Sequence, residues 1–195
     1  MDKLFYKPLK PFILTQKFGE NKACIDVTGT KVITCDGFNP PTGYRSVYGP
    51  KGHTGIDAVA HYGTPVYNSR KGIVDSIDTN PRTGLDVRIV SEIGGKAYRH
   101  IYEHLLGYQH KVSDLVETGQ VIGWADNTGY SSANHLHFQL EVWEDNRWIP
   151  IDPELLMSNI HAQDVLWAEA KLLYLREQVA LLAEAIAEYL RTKKR

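Results

Sequence analysis

Between Gly63 and Val142 the chain breaks into short strand-like runs separated by turn residues. The runs are Pro65-Val-Tyr, Gly72-Ile-Val-Asp-Ser-Ile, Asp86-Val-Arg-Ile-Val, Ala97-Tyr-Arg-His-Ile-Tyr, Gly119-Gln-Val-Ile-Gly and His135-Leu-His-Phe-Gln-Leu-Glu-Val. Regular short strands with Gly-rich turns predict a mainly β core built on an antiparallel sheet. Asp145-Asn146, between two tryptophan-bearing segments, predicts a further turn. Residues 1–50 are a lead-in rich in Pro, Gly and β-branched runs, read as part of the same domain. Within it, Cys24-Ile-Asp-Val-Thr and Lys31-Val-Ile-Thr-Cys flank Gly29-Thr30, and Gly leading a two-residue loop predicts a type II′ hairpin. Counting outward from that turn sets Cys24 opposite Cys35. That separation suits a disulfide in an oxidising compartment, while a reducing one would leave two free thiols.

The pattern changes after Asp152-Pro153. From residue 160 to residue 195 there is no Gly and no Pro, and Ala, Leu, Glu, Lys and Arg dominate. This predicts one long C-terminal α-helix. Val165, Leu172, Val179 and Ile186 recur every seven residues, with Ala168, Leu175, Leu182 and Tyr189 three residues later in each heptad. Such a seam is that of a coiled coil, and it gives the chain the means to form a homo-oligomer. β-Branched residues at the first position and Leu at the second lean towards a parallel pair. Leu166, Leu173 and Leu181 widen the stripe, which favours three or more helices or docking on the chain's own domain. The expected organisation is a lead-in over 1–50, a core over 51–157 and the helix over 160–195.

Composition narrows the function. A domain of roughly 150 residues buries a real core unaided, so a metal here would serve chemistry and not the fold. The formal net charge of −1, with acids and bases interspersed, leaves no electrostatic footprint for nucleic acid. No apolar run approaches the roughly 18 residues a transmembrane helix needs. Met1-Asp-Lys-Leu-Phe-Tyr-Lys-Pro lacks the apolar stretch of a signal peptide. Cys24 and Cys35 are spaced too widely for a zinc pair.

Three segments carry candidate chemistry: Gly52-His53-Thr-Gly-Ile-Asp57, Tyr102-Glu-His104-Leu and Asn134-His135-Leu-His137-Phe. In extended chain, residues i, i+2 and i+4 share a face. His135 and His137 therefore project together, as do His53 and Asp57. A catalytic zinc takes three protein ligands of this kind and keeps one open position. Four candidates for three places leave one histidine free to handle protons. His61, His100, His110 and His161 read as ordinary surface or partly buried residues. Spacing alone does not bring the two faces together in space.

The stretch from Gly52 to Leu156 resembles the lysostaphin-type zinc metallopeptidases. His53-x-x-x-Asp57 is followed by Ala58-Val-Ala-His-Tyr-Gly-Thr-Pro-Val-Tyr, and Tyr102-Glu-His104-Leu is similar to the family's Tyr-x-His-Leu segment. Gly119-Gln-Val-Ile-Gly, Asn127-Thr-Gly129 and His135-Leu-His137-Phe follow in the family's order, and Thr15-Gln-Lys-Phe-Gly19 resembles its opening segment. The resemblance implies that His53, Asp57 and His137 bind zinc and that His104 and His135 are unligated catalytic histidines beside an open groove. Tyr102 and Asn127 are candidate substrate contacts, the plainer readings being a strand aromatic and a turn residue. It implies an endopeptidase acting on peptidoglycan peptides, in stem or cross-link, from a cellular or phage source. The expected location is extracellular, in the cell envelope or on a virion. The alternative is a catalytically inactive wall-binding or amidase-activating scaffold of the same fold. Such scaffolds have typically lost a ligand or a catalytic histidine, and all five positions are intact here. The segment from Asn21 to Thr42 and the linker from Ser91 to His100 depart from the family pattern, which bears on substrate preference and not on the metal set.

Overall fold

In the computed structural model, residues 4–20, 23–25, 32–34 and 52–192 are described. In chain order the strands are β1 (Phe5–Lys7), β2 (Leu14–Gln16), β3 (Ala23–Ile25), β4 (Val32–Thr34), β5 (Ile56–Val59), β6 (Pro65–Tyr67) and β7 (Gly72–Asn80). They continue with β8 (Gly84–Ile93), β9 (Lys96–Tyr108), β10 (Leu115–Val116), β11 (Val121–Ala125), β12 (His135–Glu144), β13 (Arg147–Ile151) and β14 (Met157–His161). Two helices complete the set: a single turn α1 (Pro153–Leu156) and α2 (Ala162–Thr192).

The mainly β, antiparallel architecture expected from the sequence is present. The principal sheet runs β10-β7-β8-β9-β12-β5-β2, with β13 beside β12 and β11 between β9 and β6. Each pairing within it is antiparallel. Asp145 and Asn146 make the β12–β13 turn with φ of 51° and 58°. Two successive left-handed residues match the right-handed twist of a hairpin, which is why Asp and Asn serve there.

Alternation along β12 divides the molecule. Leu136, Phe138 and Leu140 are fully buried with Ile56, Ala58, Val87, Ile89 and Tyr102 in one core. His135, His137, Gln139 and Glu141 point to the opposite face, where they line a groove. Residues 4–20 join this core: Phe5 and Leu9 are buried in it, and β2 pairs with β5.

The structure corrects several expectations. His100 is neither a surface nor a partly buried residue; it is fully buried. Its Nε2 lies 2.9 Å from Ser91 Oγ and its Nδ1 lies 2.9 Å from the Tyr102 hydroxyl. The β3–β4 hairpin pairs Cys24 with Ile33, not with Cys35, a register two residues away from the one counted from Gly29-Thr30. Cys35 and the turn itself lie outside the described residues. The helix begins at Ala162, because Met157–His161 first forms a parallel pair with β1. It does not fold back on the domain. Ala162 is buried, but from Trp167 to Glu184 every side chain of α2 is exposed.

Candidate metal centre and groove

β5 and β12 are neighbours, and their register sets Asp57 directly beside His137. His53 arrives differently. It lies in the loop before β5, not on a strand face, and reaches Asp57 because the chain turns sharply through Thr54 and Gly55. Gly55 is required for that turn to close. A β-carbon there would stand 2.5 Å from the Phe138 carbonyl oxygen and 2.7 Å from His137 Nε2.

The result is a buried cluster of three ligand atoms. His53 Nε2 is 2.9 Å from His137 Nδ1, His137 Nδ1 is 2.9 Å from Asp57 Oδ1, and His53 Nε2 is 3.2 Å from Asp57 Oδ1. The direction of hydrogen bonding fits a metal. His53 Nδ1 lies 3.1 Å from the Lys17 carbonyl oxygen, which can only accept. The proton therefore sits on Nδ1, and the Nε2 lone pair faces the cluster. A ligand histidine anchored through its other nitrogen by a backbone carbonyl is the usual arrangement at metal sites. Burial pushes the Asp57 carboxyl up, but hydrogen bonds and charge from His137 and His53 outweigh it and hold the group well below the carboxylate range. Burial pushes His137 down, but the carboxylates of Glu103 and Asp57 outweigh that and raise it to about 9. The cluster thus draws positive charge to its centre. His53, Asp57 and His137 form the metal-competent group found among the described residues.

The other two histidines stand beside this cluster with the same polarity. His104 Nδ1 is 2.7 Å from the Thr128 carbonyl oxygen, and His135 Nδ1 is 2.8 Å from that of Ala133. Each ring therefore donates from Nδ1 and keeps Nε2 for the site. The two rings are 4.6 Å apart between centroids, and His135 Nε2 is 3.6 Å from Asp57 Oδ1. Burial, then the charges of His135 and His137, lower His104 to about 4, so it is neutral at neutral pH.

His104 reaches the groove through a β-bulge. Val87 pairs with Tyr102 and Leu85 with Leu105, so both Glu103 and His104 stand opposite the single residue Asp86. Strict alternation would send His104 into the core with Tyr102. Instead the extra residue, with φ of 63°, turns its side chain to the same side as Glu103.

The centre forms part of the wall of a groove of about 860 Å³. Neither expected substrate contact lines it. Tyr102 is fully buried on the core face, where its hydroxyl accepts from the Ser69 backbone amide at 2.7 Å and packs against His100 and Asn68. Asn127 is exposed but lies outside the groove lining. The lining comes instead from Tyr130, Ser131, Ile101, Glu103, Gln139 and the ion pair between Arg99 and Glu141. The strand positions among these share alternation with His135 and His137, a signal the sequence did contain.

The model of peptidase family M23 matches residues 51–153. The glycyl-glycine endopeptidase ALE-1 of Staphylococcus capitis is 43% identical over 88 residues, covering 45% of this chain and 24% of that protein. The peptidoglycan DD-endopeptidase ShyA of Vibrio cholerae serotype O1 is 38% identical over 90 residues, covering 46% of this chain and 20% of that protein. Among solved structures, the catalytic domain of the antimicrobial peptidase lysostaphin from Staphylococcus simulans superposes with a TM-score of 0.54 at 28% identity, covering 75% of this chain and 92% of that one. The chain spans less than a third of the length of these curated relatives.

Proposed function

The chain belongs to peptidase family M23, and from that membership we propose that it is a zinc-dependent endopeptidase hydrolysing peptide bonds in bacterial peptidoglycan, in cross-links or stem peptides. The observation that carries this reading is the convergence of His53 Nε2, Asp57 Oδ1 and His137 Nδ1 at the wall of an open groove, with two further histidines beside them. His53, Asp57 and His137 would hold the ion, a two-nitrogen, one-oxygen set that suits zinc. Zinc supplies Lewis acidity there, polarising a carbonyl and making water acidic near neutral pH.

The chain's own residues do the rest. His104 and His135 carry the proton work jointly, since both keep Nε2 towards the metal cluster. Peptide hydrolysis needs a proton taken from water, an oxyanion stabilised and an amine protonated. A neutral His104 can accept a proton or donate a hydrogen bond, depending on its partner. Its fixed Nδ1–H···O=C bond holds the ring in place through the cycle. The relatives' names give a glycyl-glycine endopeptidase in one case and a peptidoglycan DD-endopeptidase in another, and we assign the choice between bonds to the groove lining. The reading places the protein's work outside the cytoplasm, at the wall; among the described residues no helix is long and apolar enough to cross a membrane.

The test is mass spectrometry of fragments released from purified walls of several cross-link chemistries. The zinc-loaded chain is expected to release new amino termini from at least one wall type, and chelator to stop the release. Binding to walls without any cleavage would sink the proposal and favour the scaffold reading.

A further inference from the structure

We propose that two copies of this chain pair through α2, antiparallel and in one register, so that the assembly carries two peptidase domains on a helical rod. The inference stands apart from the reading of the metal centre.

α2 is 31 residues long, about 46 Å at the rise of an α-helix. Among the described residues it meets its own domain at its start, where Ala162 and Leu166 close on Gly119 and Asp164 pairs with Lys10 at 2.6 Å. Beyond that, Leu172, Leu175, Val179 and Leu182 are each about half to two-thirds exposed. A continuous apolar face of this length is stabilised chiefly by tertiary or quaternary cover. Val165, Ala168, Leu172, Leu175, Val179, Leu182 and Ile186 follow a three-four spacing and form one seam. Trp167, Leu173, Tyr174 and Leu181 widen the apolar surface on the other side and are also exposed, but Glu177 and Glu184 sit among them, so the seam is the face without a charged residue.

The charges along its edges choose the orientation. Glu169 and Arg176 flank one edge; Asp164, Lys171 and Gln178 flank the other. In a parallel, in-register pair the two edges meet five residues apart. Asp164 would then face the partner's Glu169, and Lys171 would face the partner's Arg176. Both contacts are between like charges. An antiparallel pair brings each edge against its own kind. With Leu172 against the partner's Leu175, Ala168 meets the partner's Val179 and Val165 meets the partner's Leu182. Six of these seven seam positions are then covered, and Ile186 lies beyond the overlap. In that register Glu169 faces the partner's Arg176, twice by symmetry, and Lys171 faces the partner's Gln178. Sliding one heptad either way sets Glu169 against the partner's Glu169, or Arg176 against the partner's Arg176. Orientation and register are therefore fixed by the same pair. The starts of the two helices are about 35 Å apart along the rod.

The experiment is sedimentation velocity on the full chain at tens of micromolar, with helicity followed by circular dichroism. The expected species is a dimer. E169R and R176E each turn two attractions into two repulsions and should weaken it roughly tenfold. E169R/R176E together restores the pairing and the affinity. A parallel pair responds in the opposite sense, since each single change removes a like-charge contact and tightens it. A monomer that keeps its helicity, a trimer, a dimer tightened by the single changes, or a dimer indifferent to all three variants would overturn the proposal.

Discussion

His100 sits in the core beneath the groove, and its hydrogen bonds specify its charge. Ser91 Oγ donates to the Lys71 carbonyl oxygen at 2.7 Å, so it can only accept from His100 Nε2–H at 2.9 Å. The ring's second nitrogen then receives the Tyr102 hydroxyl at 2.9 Å. Asn68 Oδ1 lies 3.3 Å from the same hydroxyl, so a second ring proton is accepted only if the Tyr102 hydrogen turns away to it. Burial, with the charge of Arg70 adding to it, lowers His100 from 6.5 to about 3. The unfolded chain thus binds a proton here that the folded chain refuses, over the window between those two values. Stability from this group is complete above the unfolded value and is lost as pH falls towards the folded one. Between about pH 7 and about pH 5 the loss amounts to about 2 kcal/mol. With a urea slope of about 2 kcal/mol/M, the unfolding midpoint should fall by about 1 M more in the wild type than in His100→Gln. Glutamine keeps a donor and an acceptor but cannot titrate, so other acid-sensitive groups cancel in the difference. Parallel falls in the two proteins would refute the assignment of a neutral, proton-refusing His100.

The remaining expectations concern the site. His137→Ala should lose most of its zinc, read by metal analysis after dialysis, because it removes one of three ligands; zinc held at the wild-type level would strike His137 from the set. His104→Ala and His135→Ala should keep zinc while activity falls by about a hundredfold or more, and loss of metal from either would reverse the division between ligand and proton carrier. Gly55→Ala should weaken zinc in a chelator-competition titration and lower stability by about 1–3 kcal/mol, since the new β-carbon meets the Phe138 carbonyl and the His137 ring. A variant matching the wild type in both would mean the loop before β5 has room that this packing does not allow it.

Legibility of the site in the sequence depended on how each residue is presented. His135 and His137 alternate with Leu136 and Phe138 on a regular strand, so their shared face could be read directly. His53 and Asp57 do converge, but through a loop turn at Gly55 and not by strand periodicity; the partnership was readable and its geometry was not. His104 defied alternation because a bulge adds a residue that leaves no local signature. Tyr102 and Asn127 sit within the motifs, but motif membership reports residue type and not facing, so it leaves their groove and structural roles undivided. Alternation would have placed Tyr102, and His100 two residues before it, in the core. The hairpin at Asp145-Asn146 was marked by its turn chemistry. The β1–β14 pair joins segments about 150 residues apart, and no nearby pattern encodes it.

The left-handed backbone at His104 sets two pressures against each other. A residue with a β-carbon in that conformation carries a cost of about 1 kcal/mol, which Gly escapes and Asn partly escapes. Neither substitute brings an imidazole to the groove. On the proton role proposed for His104, variants ranked by heat tolerance and variants ranked by turnover should therefore fall in opposite order at this one position. A laboratory selection for endurance alone would drift away from histidine here, and its winners would be sturdier and inert. Stabilising this protein without silencing it means holding position 104 fixed and seeking the lost kilocalorie elsewhere in the sheet.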